Sequence, residues 1–245
     1  MNQHKKHERE VETQEHKKKK ISQTTEDSSH QKKNAFQVLM NNTSRNDKTS
    51  KKDIPTTKGR GLNWKTVLKP YIEQPEKYPS SIVYSFDEEA VVIYDQFPKA
   101  QKHFLILPRS GIESISVLKK EDLTLLVKLK TRGEKLIEQL QKDFPESTKY
   151  RLGFHAIPSL QPLHMHVISQ DFISPCLKNK THWNSFTTDF FRDVDTVIEE
   201  LTLQGEIKYD KKLYESILKT PLRCHHCDAT LTNMPKLKEH LLKHD

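Results

Sequence analysis

Residues Tyr150 to Ser169 read YRLGFHAIPSLQPLHMHVIS, and their pattern decides the fold. Two strands, Tyr150 to Ala156 and Leu163 to Ser169, are predicted on either side of a turn carrying Pro158 and Pro162. Side chains alternate along a strand, so His164 and His166 share one face while Leu163, Met165 and Val167 take the other. The apolar face anchors the strand, and the two imidazoles are expected to look outward. An isolated H-x-H is more often a pair of surface histidines. Pairing the two strands, however, brings His155 to the same place, beside Ser159, and three converging histidines make a candidate site.

Upstream lie three β-rich runs, Ile82 to Phe86, Ala90 to Phe97 and His103 to Leu107, the first two separated by an acidic turn. They read as an antiparallel meander. Leu123, Leu126, Val127, Leu129, Leu136, Ile137 and Leu140 then recur at helical spacing, which predicts a long helix from Lys120 to Gln141 interrupted only by Gly133. Five strands with one long helix after the third give an α+β sandwich of antiparallel sheet and helix. Ahead of the sheet, Leu62, Trp64, Val67, Leu68 and Tyr71 form a short amphipathic helix. Beyond Ser169 comes an irregular stretch, then helices at about Asp193 to Leu203 and Lys211 to Leu218.

The chain has 245 residues, 33% hydrophobic and 30% charged, with a mean hydropathy of -0.81. Such polarity points to a local deficit of core-forming residues. Residues 1–58 supply it, with 14 basic and 8 acidic side chains, no glycine and one short apolar cluster. They are expected to form a disordered basic tail, in which Lys17 to Lys20 suit phosphate contact or nuclear import. No stretch is long and apolar enough to cross a bilayer, and the opening residues lack a secretory signal. Three cysteines cannot build a disulfide scaffold, which favours a reducing compartment.

Two of those cysteines belong to a stronger pattern. Cys224, Cys227, His240 and His244 are spaced C-x2-C-x12-H-x3-H, so two thiolates on a knuckle and two imidazoles one helical turn apart can converge on tetrahedral zinc. A small ββα-like finger is expected at 221–245 as a separate terminal module. Leu231 and Leu237 would form its core, and Lys236, Lys238 and Lys243 would line its helix. The outer spacing already completes four ligands, which excludes His225 and His226. One finger reads about three base pairs, too few for a sequence-specific factor, and suits a second grip on nucleic acid.

The segments YDQFPKAQKHFLILPR from Tyr94, RLGFHAIPSLQPLHMHVISQDFISPCLKNKTHWNSF from Arg151 and PLRCHHCDATLTNMPKLKEHLLKH from Pro221 together resemble the histidine-triad superfamily and, more narrowly, the aprataxin family. The resemblance frames nearly everything from about residue 60. It implies a histidine-triad (HIT-like) catalytic domain at 59–192, a helical connector at 193–220 and the zinc finger at 221–245. It also implies hydrolysis of AMP from 5′-adenylated DNA nicks or ends in the nucleus, with one structural zinc and no catalytic metal. His164, the middle triad position, corresponds to the nucleophile that takes up AMP. His166, His155 and Ser159 correspond to phosphoryl-stabilising positions, His155 being the proton donor. Lys178 matches a phosphate-contacting lysine, Asp95 a nucleotide-side residue and Lys99 a DNA-side residue; these three rest mainly on the resemblance. Trp64, by composition a core residue, falls where the family places an apolar wedge against a base pair. The sequence departs from the triad pattern at Pro162, which occupies the first histidine position. His103 reads as structural, and Cys176 has no assigned role.

Two other functions fit parts of the sequence. A general histidine-triad phosphoramidase or dinucleotide hydrolase would act on small molecules, which need no finger. A non-catalytic zinc-finger nucleic-acid-binding protein would have a decayed site at Pro162, against which the intact His164 and its neighbours weigh.

Overall fold

Val, Ile, Leu and Phe dominate AVVIY and HFLILP, and these runs become the two adjacent strands β2 (Ala90–Tyr94) and β3 (His103–Pro108) in the middle of a sheet. The computed structural model describes residues 64–143 and 149–244. The tail at 1–58 lies outside them. With β1 (Val83–Phe86), β4 (Tyr150–His155), β5 (Met165–Ser169) and β6 (Phe191–Asp193), the strands form a six-stranded antiparallel sheet in the order β1-β2-β3-β5-β4-β6. The meander is as expected. The expected count of five strands is corrected to six among the described residues, because Phe191–Asp193 extends the sheet beyond β4.

The two faces of the sheet are covered differently. Phe104, Ile106, Met165, Val167 and Phe154 face the long helix α2 (Leu123–Asp143), which presents Leu126, Leu129, Leu136 and Leu140 at helical spacing. Gly133 lies at the closest approach, where a Cβ would meet Leu152 Cδ2 at 2.8 Å. On the opposite face, Val91, Ile93, Leu105 and Leu107 pack under Leu68 together with Tyr71 and Ile72 of α1 (Lys69–Glu73). Further along that face, Ile168 and Phe191 pack with Trp183 and Phe186 of α3 (Lys180–Thr187). Asn179 caps α3 by accepting the His182 N–H at 2.9 Å.

The stretch 193–220 contains α4 (Val194–Gln204) and α5 (Lys211–Ile217). Val194, Val197 and Leu201 of α4 belong to the main core, while Tyr214 of α5 packs on Ala156 and Phe190. β7 (Leu222–Arg223), β8 (Thr230–Leu231) and α6 (Met234–Leu241) form the expected ββα finger.

The finger is joined to the rest by shared packing. Leu222, Cys224, Met234, Leu237 and Leu241 form one apolar cluster with Phe172, Leu177 and Trp183. Trp183 Nε1 donates to Arg223 O at 2.8 Å, and Lys238 Nζ donates to Ser174 O at 3.0 Å. A separate terminal module is therefore not what forms. The apolar residues of the finger are too few for a core of their own, and they complete one with α3 and the loop after β5.

Candidate active site

Strand register assembles the histidines. Leu105 lies opposite His166 on β3 and β5, so His103 is the diagonal neighbour of His166 on the same face. Gly153 lies opposite His166 on β4, which carries His155 to that face too. The ring centroids of His155 and His166 are 4.5 Å apart, those of His164 and His166 5.1 Å, and those of His103 and His166 5.2 Å. His164 and His166 do share a face, as the alternation requires. The expectation that they look outward is corrected: His164 is 6% and His166 4% exposed. Phe186 and Phe191 cover His155 and His166, with Phe186 centred 4.5 Å from His155 and 5.3 Å from His166.

The hydrogen bonds fix where the protons sit. A carbonyl can only accept, so the 3.0 Å contact between His164 Nδ1 and Pro162 O makes Nδ1 the protonated nitrogen and leaves the lone pair on Nε2. The carbonyl of Pro162, at the position where the triad pattern has histidine, thus orients His164. A second chain starts at the backbone. Lys99 N–H donates to His103 Nδ1 at 3.1 Å, so His103 carries its proton on Nε2 and donates it to His166 Nδ1 at 2.9 Å. His166 then keeps its own proton on Nε2, an atom buried with no hydrogen-bond partner. His155 bonds the Ser185 backbone through one ring nitrogen, and its Nε2 is likewise buried and unpartnered. Two unpartnered imidazole nitrogens beside a nucleophile-ready one are expensive unless an incoming polar group satisfies them.

Burial holds all four rings neutral. Desolvation lowers His164 from its ordinary value, takes His155 and His166 well below it, and pushes His103 down to about 4. His103, read from sequence as structural, links the Lys99 backbone to His166. Its only sequence signal was a polar residue heading an otherwise apolar strand.

Asp95 accepts the Phe97 N–H at 2.7 Å through Oδ1 and places Oδ2 3.6 Å from His103 Nε2. Lys99 stands beside it, lowered from the ordinary lysine range mainly by burial, with Asp95 opposing and Lys178 adding to the shift. Lys178 is exposed at the start of the α3 cap, where its N–H donates to His182 Nδ1 at 3.3 Å. His182 also feels the charge of Lys99 and was not foreseen. Ser159 is exposed in the loop between β4 and β5. Trp64 heads a 3-10 turn, Trp64–Thr66, and its side chain lies outside the described residues.

Asp95, His103 and His166 also offer converging ligand atoms. Within this group His103 Nε2 and His166 Nδ1 lie 2.9 Å apart, a hydrogen-bond length. The finger differs. Cys224 Sγ lies 3.4 Å from His244 Nε2, Cys227 Sγ 3.2 Å from His240 Nε2, and the two Nε2 atoms 3.2 Å from each other. These spacings are close to the edges of a tetrahedron with bonds of about 2.0 to 2.3 Å, so the four donors fit zinc. His226 N–H points to Cys224 Sγ at 3.4 Å, as a thiolate favours. His225, excluded as a ligand, donates from Nε2 to Gln170 O at 3.0 Å and packs edge-on against Phe172 and Trp183.

Two family models match successive parts of the chain. Residues 65–182 match the family model described as scavenger mRNA decapping enzyme C-terminal binding. Residues 187–244 match the model of the C2HE / C2H2 / C2HC zinc-binding finger. Aprataxin of Gallus gallus is 46% identical over 182 residues, covering 74% of this chain and 55% of the relative. The chain thus spans about half the length of that relative. An aprataxin-like protein of Schizosaccharomyces pombe is 32% identical over 232 residues, covering 86% of this chain and 93% of the relative. Among solved structures, Hnt3 aligns with a TM-score of 0.58 at 28% identity, covering 74% of this chain and 94% of that one. The aprataxin orthologue Hnt3 in complex with DNA aligns with a TM-score of 0.53 at 30% identity, covering 72% and 92%. A histidine-triad sheet fused to a zinc-binding finger, matched along nearly the whole of a relative, shows that this chain belongs to the aprataxin family.

Proposed function

We propose that this protein removes AMP from 5′-adenylated DNA nicks and ends through a covalent intermediate on His164. The single observation that carries the chemistry is the His164 Nδ1 contact to Pro162 O, which leaves Nε2 neutral and unprotonated. The DNA-bound structure of an aligned family member supports the choice of substrate.

His164 Nε2 attacks the adenylate phosphorus, a bond forms between them, and the pyrophosphate P–O bond breaks to free the DNA 5′-phosphate. Water then attacks the phosphorus, releasing AMP and restoring the imidazole. Negative charge develops on phosphoryl oxygens in both steps, and the Nε2–H of His166 is a fixed donor with nothing else to bond. His155 Nε2 donates only once its ring is protonated, a state that the charge of a bound pyrophosphate favours over the neutral form of the free protein. Ser159 adds a hydroxyl at the open side. Lys99 and Lys178 supply positive charge for the phosphates, and Asp95 sets the turn that carries Lys99 and faces the nucleotide. Trp64 is kept as a contact to a terminal base.

One structural zinc on Cys224, Cys227, His240 and His244 stabilises the finger, which grips the DNA alongside. A DNA substrate implies the nucleus, and Lys17 to Lys20 fit an import signal. The test compares turnover of 5′-adenylated nicked DNA with that of a small adenosine phosphoramidate. The DNA substrate should be preferred in kcat/KM, and a preference for the small molecule would favour a general phosphoramidase.

A further inference from the structure

Two large apolar side chains stand exposed next to the cationic side of the site: Phe97 is 56% and Ile173 47% exposed. They sit on separate loops that hydrogen bonds lace together. Asp171 Oδ1 accepts both Gln101 N–H at 3.0 Å and Ile173 N–H at 2.7 Å, and Ser174 Oγ donates to Pro98 O at 2.5 Å. Phe97 is further fixed at its own backbone. Its N–H is held by Asp95 Oδ1, and its carbonyl accepts from Lys99 Nζ. The neighbouring Gln96 is tied to Tyr71 Oη at 2.8 Å. On the far side, Lys238 of the finger helix reaches Ser174 O. Two exposed apolar side chains thus sit on loops tied to each other by hydrogen bonds, with the Lys99 ammonium on the Phe97 carbonyl and the Lys238 ammonium on the Ser174 carbonyl next to Ile173.

We infer that Phe97, with Ile173 on the adjoining loop, is a stacking platform for an unpaired base of the DNA strand as it passes from the adenylated phosphate toward the finger. Charge chooses the occupant. The exposed carbons are bordered by lysines, which suit a phosphodiester strand and oppose a cationic or purely apolar partner. Ordering also counts: the turn is already held by Asp95 and Lys99, so stacking immobilises little on the protein side.

The inference rests on the DNA reading above, and the test keeps the two apart. Wild type, Phe97→Ala, Phe97→Trp and Ile173→Ala are compared on 5′-adenylated nicked DNA and on adenosine phosphoramidate, with melting temperature measured for each. Phe97→Ala is expected to lower the ratio of the two kcat/KM values by about five- to a hundredfold, the range that loss of one stacked base allows. Phe97→Trp should restore most of it, and Ile173→Ala should show a smaller loss. An equal loss on both substrates would place Phe97 against the adenine and overturn the inference. An unchanged ratio, in a wild type that does turn over adenylated DNA, would overturn it as well. If the wild type fails to act on adenylated DNA, the functional reading itself falls.

Discussion

Loss of the zinc ligands should disable the histidine site as well as the finger. The perturbation is Cys224→Ser with Cys227→Ser, which removes both thiolates and releases the metal; a finger of this size has no fold without it. Its unfolding withdraws Leu222, Met234, Leu237 and Leu241 from the cluster they share with Phe172 and Trp183, and removes the partners of Trp183 Nε1 and Gln170 O. Re-exposing one large apolar side chain costs about 1.5 to 3 kcal/mol, so uncovering Phe172 and Trp183 costs about 3 to 6 kcal/mol. The lost hydrogen bonds add roughly 1 kcal/mol each. Against a typical total of about 5 to 15 kcal/mol, that loosens α3 and the loop before it, and with them Phe186 over His155 and His166. The assay measures zinc release with a chromophoric chelator, the melting temperature, and turnover of adenylated DNA and adenosine phosphoramidate in parallel. The melting temperature should fall by roughly 10 °C or more, and both activities should drop at least about tenfold. Reversible chelation of the wild type should reproduce the effect. Undiminished cleavage of the small substrate would refute the shared-core reasoning and return the finger to the status of an independent tether.

Other perturbations address the site and the tail. His103 has a folded value of about 4 against an ordinary 6.5, so its contribution to stability is present above pH 6.5 and is lost as the pH falls to about 4. In urea unfolding, His103→Asn should make the loss between pH 7 and pH 4 smaller by about 3 kcal/mol, the size of that shift; an identical pH dependence would contradict the buried neutral ring. Deleting residues 1–58 should leave turnover at low salt nearly unchanged while making the dependence of log affinity on log salt shallower by about 0.9 for each phosphate contact removed. An unchanged slope, with unchanged nuclear enrichment, would make the tail a plain solvated extension.

Much of the sheet was readable because its strands carry a clear period. The run around His164 alternates, and AVVIY and HFLILP are too apolar to be anything but central. β6 escaped because three residues, Phe191–Asp193, hold no period at all, and only pairing with Gly153 to His155 makes them a strand. The same limit hid the cover over the site. WNSF reads as irregular until Trp183 and Phe186 turn out to be buried between the sheet and the finger. The four zinc ligands were legible from spacing alone, since local geometry brings them together. His103 was not, because its link to His166 depends on the register of β3 against β5, a long-range property that a single strand does not encode. Pro162 looked like a defect as a side chain, yet the group used at that position is its backbone carbonyl, which every residue has.

The central claim, that His164 Nε2 takes up AMP from adenylated DNA, is tested most directly by trapping the adduct. Wild-type protein and His164→Ala are mixed in single turnover with nicked DNA carrying labelled AMP on its 5′ end, quenched in base, digested and read by mass spectrometry. The expected result is one acid-labile, base-stable AMP on the peptide containing His164 in the wild type, with no adduct and less than about a tenth of the wild-type AMP release in the variant. An AMP-bearing residue elsewhere, or a variant that releases AMP at close to the wild-type rate, would contradict it.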